Sequence, residues 1–160
     1  MKIAIAADHR GRTAASYVVE RLRSQGHEVA VVGPQDEGSV DYPDSAQAVA
    51  ERLSDGSSER GILICGTGIG VSIAANKFRG IRAALAHDEF GSRLARTHND
   101  ANVLCLPADL LGDNEIEKMV TVFLEADFEG GRHARRVNKI NELERAECER
   151  HASGSQVTPS

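Results

Sequence analysis

The sequence predicts an α/β fold whose parallel sheet is covered by helices on both faces. Three observations lead there. Short apolar runs of strand length alternate with longer stretches at helical spacing, which is the pattern of right-handed βαβ units. A glycine-rich turn, Gly66 to Gly70, joins one such run to a helical one. The polar clusters Asp8-His9, Cys65 to Gly70 and His87-Asp88 each follow a predicted strand. They belong at the carboxyl edge of the sheet, where ligands bind in open α/β folds. His98-Asn99 sits instead just before a strand.

In chain order, Lys2 to Ala7 reads as the first strand and Asp8 to Arg12 as a polar turn. Ala14, Tyr17, Val18 and Leu22 recur at helical spacing between Thr13 and Gln25, and Gly26 supplies the stop. His27 to Val32 is a second strand, and the loop from Gly33 to Tyr42 follows. A helix from about Pro43 to Leu53 has its proline in the first turn. Ile62 to Ile64 is the third strand, followed by Cys65, the glycine turn and a helical run from Ile69 to Asn76. Ile81 to Ala86 is a fourth strand, then a helix from Glu89 to Thr97 and a loop from His98 to Ala101. Asn102 to Leu106 is a fifth strand closed by Pro107. Asn114 to Ala126 carries Ile116, Met119, Val120 and Phe123 on one helical face. After Gly130-Gly131 a basic helix runs from Arg132 to about Arg150. Residues 1–150 are expected to form one domain, and 151–160 a disordered tail.

Composition narrows the function. The 160 residues suit one core, with 41% hydrophobic and 27% charged residues. A net charge of −5 and 4% aromatic content without Trp disfavour a nucleic-acid surface. No apolar run approaches the roughly 20 residues that span a bilayer. The chain enters a strand pattern at Lys2 with no signal-peptide layout, so a cytoplasmic protein is expected. Cys65, Cys105 and Cys148 are odd in number and lack CxxC spacing, against a disulfide framework or zinc ribbon.

The motifs keep two readings each. Gly66 to Gly70 is neither a dinucleotide fingerprint nor a Walker A loop. It is a tight structural turn or a cradle for an anion or oxyanion. Cys65 is a buried inert thiol or, beside a helix N-terminus, a reactive one. Cys105 belongs to the core. His98 is a helix-end cap or a catalyst, and His9 shares that ambiguity. Two histidines and a thiol near one sheet edge would suit acid–base work near neutral pH. No HxxxH or histidine–carboxylate pair at ligand spacing supports a metal. Arg132 and Arg136 share a helical face that suits a phosphate or is simply solvated.

Together these residues resemble a known family. The segments are Asp8-His9 with Gly11, Asp41-Tyr42-Pro43-Asp44, Gly61 to Asn76, Gly80 to Ala84, His98 to Leu104, and Phe128 to Arg136. The chain is similar to ribose-5-phosphate isomerase of the B type, within the wider family of galactose-6-phosphate and allose-6-phosphate isomerases. The resemblance covers Met1 to about Leu143. It implies a three-layer α/β/α, Rossmann-like sandwich with a five-stranded parallel sheet in the order 2-1-3-5-4. It implies a homodimer, with pairing into tetramers left open, whose sites combine residues of both subunits. The implied reaction is metal-free and cofactor-free aldose–ketose isomerisation through an enediolate.

Carried over, Cys65 matches the family's base, and Thr67 and His98 match residues linked to ring opening. Gly66, Gly68, Ile69 and Gly70 match the backbone around the enediolate oxygens. Asp8, His9, Tyr42 and Asn99 match sugar contacts. Arg132 and Arg136 match phosphate ligands, with His133 beside them. Two departures bear on the substrate. Pro107-Ala108-Asp109 stands where many members carry Gly-x-Arg, and Arg10 and Arg12 stand where many carry a small and an aromatic residue. The expected substrate pair is ribose 5-phosphate and ribulose 5-phosphate. The alternatives are another sugar phosphate (allose 6-phosphate, galactose 6-phosphate or a tetrose phosphate) and a non-catalytic sugar-phosphate binding module.

Overall fold

The structure, a computed structural model, describes residues 1–34 and 38–154. Five strands form one parallel sheet: β1 (Lys2–Ala7), β2 (Glu28–Val31), β3 (Arg60–Cys65), β4 (Ala83–Leu85) and β5 (Val103–Pro107). Their order is β2-β1-β3-β5-β4, as the resemblance implies. The helices are α1 (Arg12–Ser24), α2 (Tyr42–Ser54), α3 (Ile69–Ala75), α4 (Glu89–Asn99), α5 (Asp113–Glu125) and α6 (Gly131–Gly154).

The strands alternate their side chains between two cores, because successive residues point to opposite faces. Ile3, Ile5, Ile62, Ile64, Leu104 and Leu106 pack with α1, α4 and α5, where Val18, Leu22, Met119 and Phe123 meet them. Ala4, Ala6, Leu63, Val103 and Cys105 pack under α2 and α3 with Val49, Ala50 and Val71. Cys65 falls on this second face by the same alternation. Strands buried on both faces read as continuous apolar runs, which is why β1, β3 and β5 were legible.

Register brings the strand exits together. Ala7 lies beside Ile64, and Cys65 beside Pro107. Backbone bonds extend the alignment past the strands. Asp8 N–H donates to the Ile64 carbonyl at 3.2 Å, Ala108 N–H to Cys65 at 2.9 Å, and Asp109 N–H to Gly66 at 3.0 Å. The first, third and fifth strands therefore deliver Asp8, Cys65 and Asp109 to one edge.

Three expectations change. His98 and Asn99 are not in a loop: α4 continues to Asn99 and stops at Asp100, which adopts φ 47°. The turn is held by charge, since Asp100 receives Arg96 Nη1 and Arg82 Nη2, each at 2.8 Å. Arg96 is itself buried. The fourth strand is shorter than Ile81–Ala86, because Ile81 N–H turns back to Phe78 and Arg82 N–H is taken by the Asn102 side chain. The basic helix α6 begins at Gly131 and runs to Gly154, into the segment expected to be a disordered tail. Residues 155–160 of that tail, and 35–37 of the Gly33–Tyr42 loop, lie outside the described residues. No helix among the described residues is long and apolar enough to cross a membrane.

Candidate active site

β3 ends on Cys65, and its sulfur is turned back over its own loop. Gly68 N–H donates to Cys65 Sγ at 3.1 Å. Gly68 takes φ 72°, and a Cβ there would run into Leu85 Cδ1 and lie 3.2 Å from the Leu106 carbonyl carbon. Only glycine meets both demands. α3 starts at the next residue, so its first-turn N–H groups have no intrahelical acceptor. They sit at the same edge as the thiol. Thr67 is exposed beside them, its Oγ1 accepting Ile69 N–H at 3.4 Å. Cys65 is 4% exposed. Burial pushes the Cys105 thiol far above its ordinary value, which keeps it protonated and inert, as expected for a core cysteine.

Two neighbours frame this loop. On one side the Tyr42 ring lies against Gly70, where a Cβ would come within 2.7 Å of Cε2. On the other side Arg10 and Asp109 form an ion pair, Nη2 to Oδ2 2.7 Å, directly against Gly66. Asp8 is buried, and its Oδ1 accepts the N–H groups of Arg10 at 2.9 Å and Gly11 at 3.0 Å. That oxygen closes the β1–α1 turn. His9 is exposed in the same turn.

The remaining expected residues form a second cluster. The imidazoles of His98 and His133 stack, centroids 4.0 Å apart and planes 11° apart. Glu129 Oε2 lies 3.9 Å from His98 Nε2 and 3.6 Å from His133 Nε2. Glu129 N–H donates to the Thr97 carbonyl at 3.0 Å, which ties the approach to α6 onto the end of α4. Arg132 Nε points at His133 Nε2 at 3.3 Å. Arg132 and Arg136 are exposed and share a face of α6, as expected. Burial lowers the His133 imidazole below its ordinary value; His98 and Arg132 add to this, and Glu129 opposes it. Asn99 follows His98 at the end of α4 and is exposed.

The two clusters do not meet within one chain. α4 leaves the carboxyl end of β4 and returns to the amino end of β5, so His98 lies at the edge opposite Cys65. The expectation that both histidines and the thiol share an edge therefore holds for His9 alone. A groove of about 1050 Å³ between α6 and the α3–β4 connection touches only Asn99 of the expected residues.

Glu129 was missed as a site residue. His98, Glu129 and His133 each place one ligand atom within 4.8 Å of the others, and could hold a metal ion. This corrects the expectation that no histidine–carboxylate pair stands at ligand spacing. The signal was present, since Glu129 and His133 are four apart and meet across the first turn of α6. The surrounding Arg132 and Arg136 make the cluster as a whole a better host for an anion than for a cation.

Comparison with known proteins identifies the family. The ribose/galactose isomerase family matches residues 3–140. Ribose-5-phosphate isomerase B of Escherichia coli is 42% identical over 143 residues, 89% of this chain and 96% of the relative. D-erythrulose-4-phosphate isomerase of Pectobacterium atrosepticum is 39% identical over 149 residues, 92% of this chain and 97% of the relative. The structure of Mycoplasma genitalium ribose-5-phosphate isomerase B with bound ribulose-5-phosphate superposes with a TM-score of 0.87 at 46% identity, covering 90% of this chain and 96% of that one. The chain belongs to the ribose/galactose isomerase family and is an aldose–ketose isomerase of sugar phosphates.

Proposed function

We propose that the chain interconverts D-ribose 5-phosphate and D-ribulose 5-phosphate by metal-free proton transfer through a cis-enediolate. The observation that carries this reading is the seat of Cys65 Sγ, 3.1 Å from the Gly68 N–H at the mouth of a glycine loop. A proton α to a carbonyl is weakly acidic, so its removal needs a base and a place for the resulting negative charge. Cys65 is the base: it takes the proton from C2 of the aldose and returns it to C1. The backbone of Gly66, Gly68, Ile69 and Gly70 surrounds the enediolate oxygens, with Gly68 N–H serving Cys65 Sγ and the neighbouring N–H groups serving the oxygens. Donors placed this way contribute about 3–4 kcal/mol each in comparable sites. Thr67 and His98 open the sugar ring. Asp8, His9, Tyr42 and Asn99 hold hydroxyls. Arg132, Arg136 and His133 hold the phosphate, whose binding energy fixes the reacting carbons.

The reading requires two subunits. The thiol and the histidine–arginine cluster lie at opposite edges of one chain, so one subunit's Cys65 edge meets the other's His98 edge in a two-fold dimer. Exposed Ile69, Ile73 and Tyr42 beside the loop give that dimer apolar surface to bury. The proposal places this enzyme in the cytoplasm, with no nucleic-acid or membrane partner. Removing the thiol tests the base directly. Cys65→Ala should lower kcat by about 10³-fold with the melting temperature little changed; near-normal turnover would remove Cys65 from the role.

A second reading keeps the chemistry and changes the sugar. A relative of similar length and 39% identity is named D-erythrulose-4-phosphate isomerase, and Arg10 and Asp109 pair beside the reacting loop. Comparing kcat/KM for four-, five- and six-carbon sugar phosphates separates the two readings, because a difference in pocket acts through that ratio.

A further inference from the structure

Glu129 stands where a carboxylate is unfavourable for binding an anion. Arg132 and Arg136, the proposed phosphate ligands, follow it in the first turns of α6, and a negative charge beside them works against the phosphate. The side chain is exposed, but its backbone is fixed. Glu129 N–H donates to the carbonyl of Thr97, the residue before His98, at 3.0 Å. From there Oε2 faces both imidazoles, 3.9 Å from His98 Nε2 and 3.6 Å from His133 Nε2. The rings lie against each other, centroids 4.0 Å apart, with His133 buried and His98 half-buried.

The two rings are not equivalent partners for the carboxylate. Arg132 Nε donates to His133 Nε2 at 3.3 Å, so that nitrogen is an acceptor and the ring carries its proton on Nδ1. It has no N–H to give Glu129. The carboxylate is left with the Nε2–H of His98. At 3.9 Å this is the attraction of a charge for an imidazole N–H, and catalytic hydrogen bonds of this kind tighten in the complex with substrate. His98 is thus held on its face by a buried ring and at its edge by a carboxylate. The second contact selects the tautomer as well as the orientation.

We propose that Glu129 is a positioning residue for opening of the sugar ring, holding the His98 imidazole in the tautomer and orientation that move a proton on the bound furanose. The inference rests on the proposed reading of the chain as a ribose-5-phosphate isomerase with His98 at the ring. Ribose 5-phosphate closes its ring between C1 and O4. With Nε2–H held at the carboxylate, the lone pair of His98 lies on Nδ1. That nitrogen takes the proton from O1 as the C1–O1 double bond forms and the C1–O4 bond breaks. It returns the proton to O4, which keeps the electron pair of the broken bond. The carboxylate stabilises the positive charge that the ring carries between the two transfers.

Ribulose 5-phosphate supplies the control. Its phosphate occupies O5, the hydroxyl that would close a five-membered ring on C2, so it reaches the enzyme as an open chain. Two assays, both with a chelator present, read the difference: turnover of ribose 5-phosphate, and entry of deuterium at C1 of ribulose 5-phosphate in D₂O. Glu129→Gln keeps the size of the side chain and the backbone bond to Thr97, and removes the charge. It should lower kcat for ribose 5-phosphate by about 10-fold or more. KM should not rise, since the phosphate arginines lose a neighbouring negative charge, and deuterium entry into ribulose 5-phosphate should stay at the wild-type rate. Glu129→Ala should match Glu129→Gln, where a packing role would spare the amide, and Glu129→Asp should recover part of kcat. Normal turnover of ribose 5-phosphate by Glu129→Gln, or equal slowing of both assays, would overturn the proposal while the isomerase reading stands. Wild-type protein that neither isomerises nor exchanges would overturn that reading and the proposal with it.

Discussion

Gly68 donates its backbone N–H to Cys65 Sγ at 3.1 Å, from a left-handed conformation with φ 72°. The sulfur's position and the loop's shape are therefore one feature. The donor cannot be moved without bending the loop, and the loop cannot take another residue without losing the donor.

Gly68→Ala should show this. An alanine there takes on about 1–2 kcal/mol of left-handed strain, and its methyl meets Leu85 and the Leu106 backbone. The melting temperature should fall, and kcat/KM should drop by about 100-fold, the scale of a 1 Å misplacement. Steady-state kinetics and a thermal melt read the two effects. Unchanged kinetics in a destabilised variant would separate the loop from catalysis.

Subunit mixing tests the two-edge arrangement. Cys65→Ala and His98→Asn should each be inactive alone. In a site built from the thiol of one subunit and the histidine of its partner, random reassociation leaves half the molecules as mixed dimers, each with one intact site. Activity should return to about a quarter of wild type. No recovery, with mixed dimers verified by mass, would place both residues in one subunit's site.

His133 gives a pH signature in stability. Burial holds its imidazole below the ordinary value, so the folded chain favours the neutral ring. The unfolded histidine protonates near about pH 6.5 and binds more protons than the folded one below that point. The contribution of the neutral ring is thus complete above about pH 6.5 and is lost as pH falls through that value toward the folded one. Urea unfolding at about pH 7.5 and pH 5.5 should show wild type losing more stability on acidification than His133→Asn. Equal losses in the two proteins would contradict the assignment.

What the sequence revealed follows the range of the interactions. β1, β3 and β5 were readable because burial on both faces leaves a plain apolar run, and the Cys65–Gly70 turn is local in the chain. The end of α4 was misread because His98-Asn99-Asp100 has loop composition. What holds Asp100 in its left-handed turn is a pair of arginines, one of them on the far side of α4. Glu129 escaped notice because its meaning depends on the stack of His98 on His133, which joins α4 to α6. Arg10 and Asp109 stood out as departures, but nothing in their spacing says that they touch.

The central claim is enediolate chemistry on ribose 5-phosphate by the Cys65 site. The most direct test is proton NMR of ribose 5-phosphate with the wild-type protein in D₂O containing a chelator. The account predicts that ribulose 5-phosphate appears with deuterium entering at the transferred position, and that Cys65→Ala gives neither. Absence of both product and exchange with folded wild-type protein would contradict it.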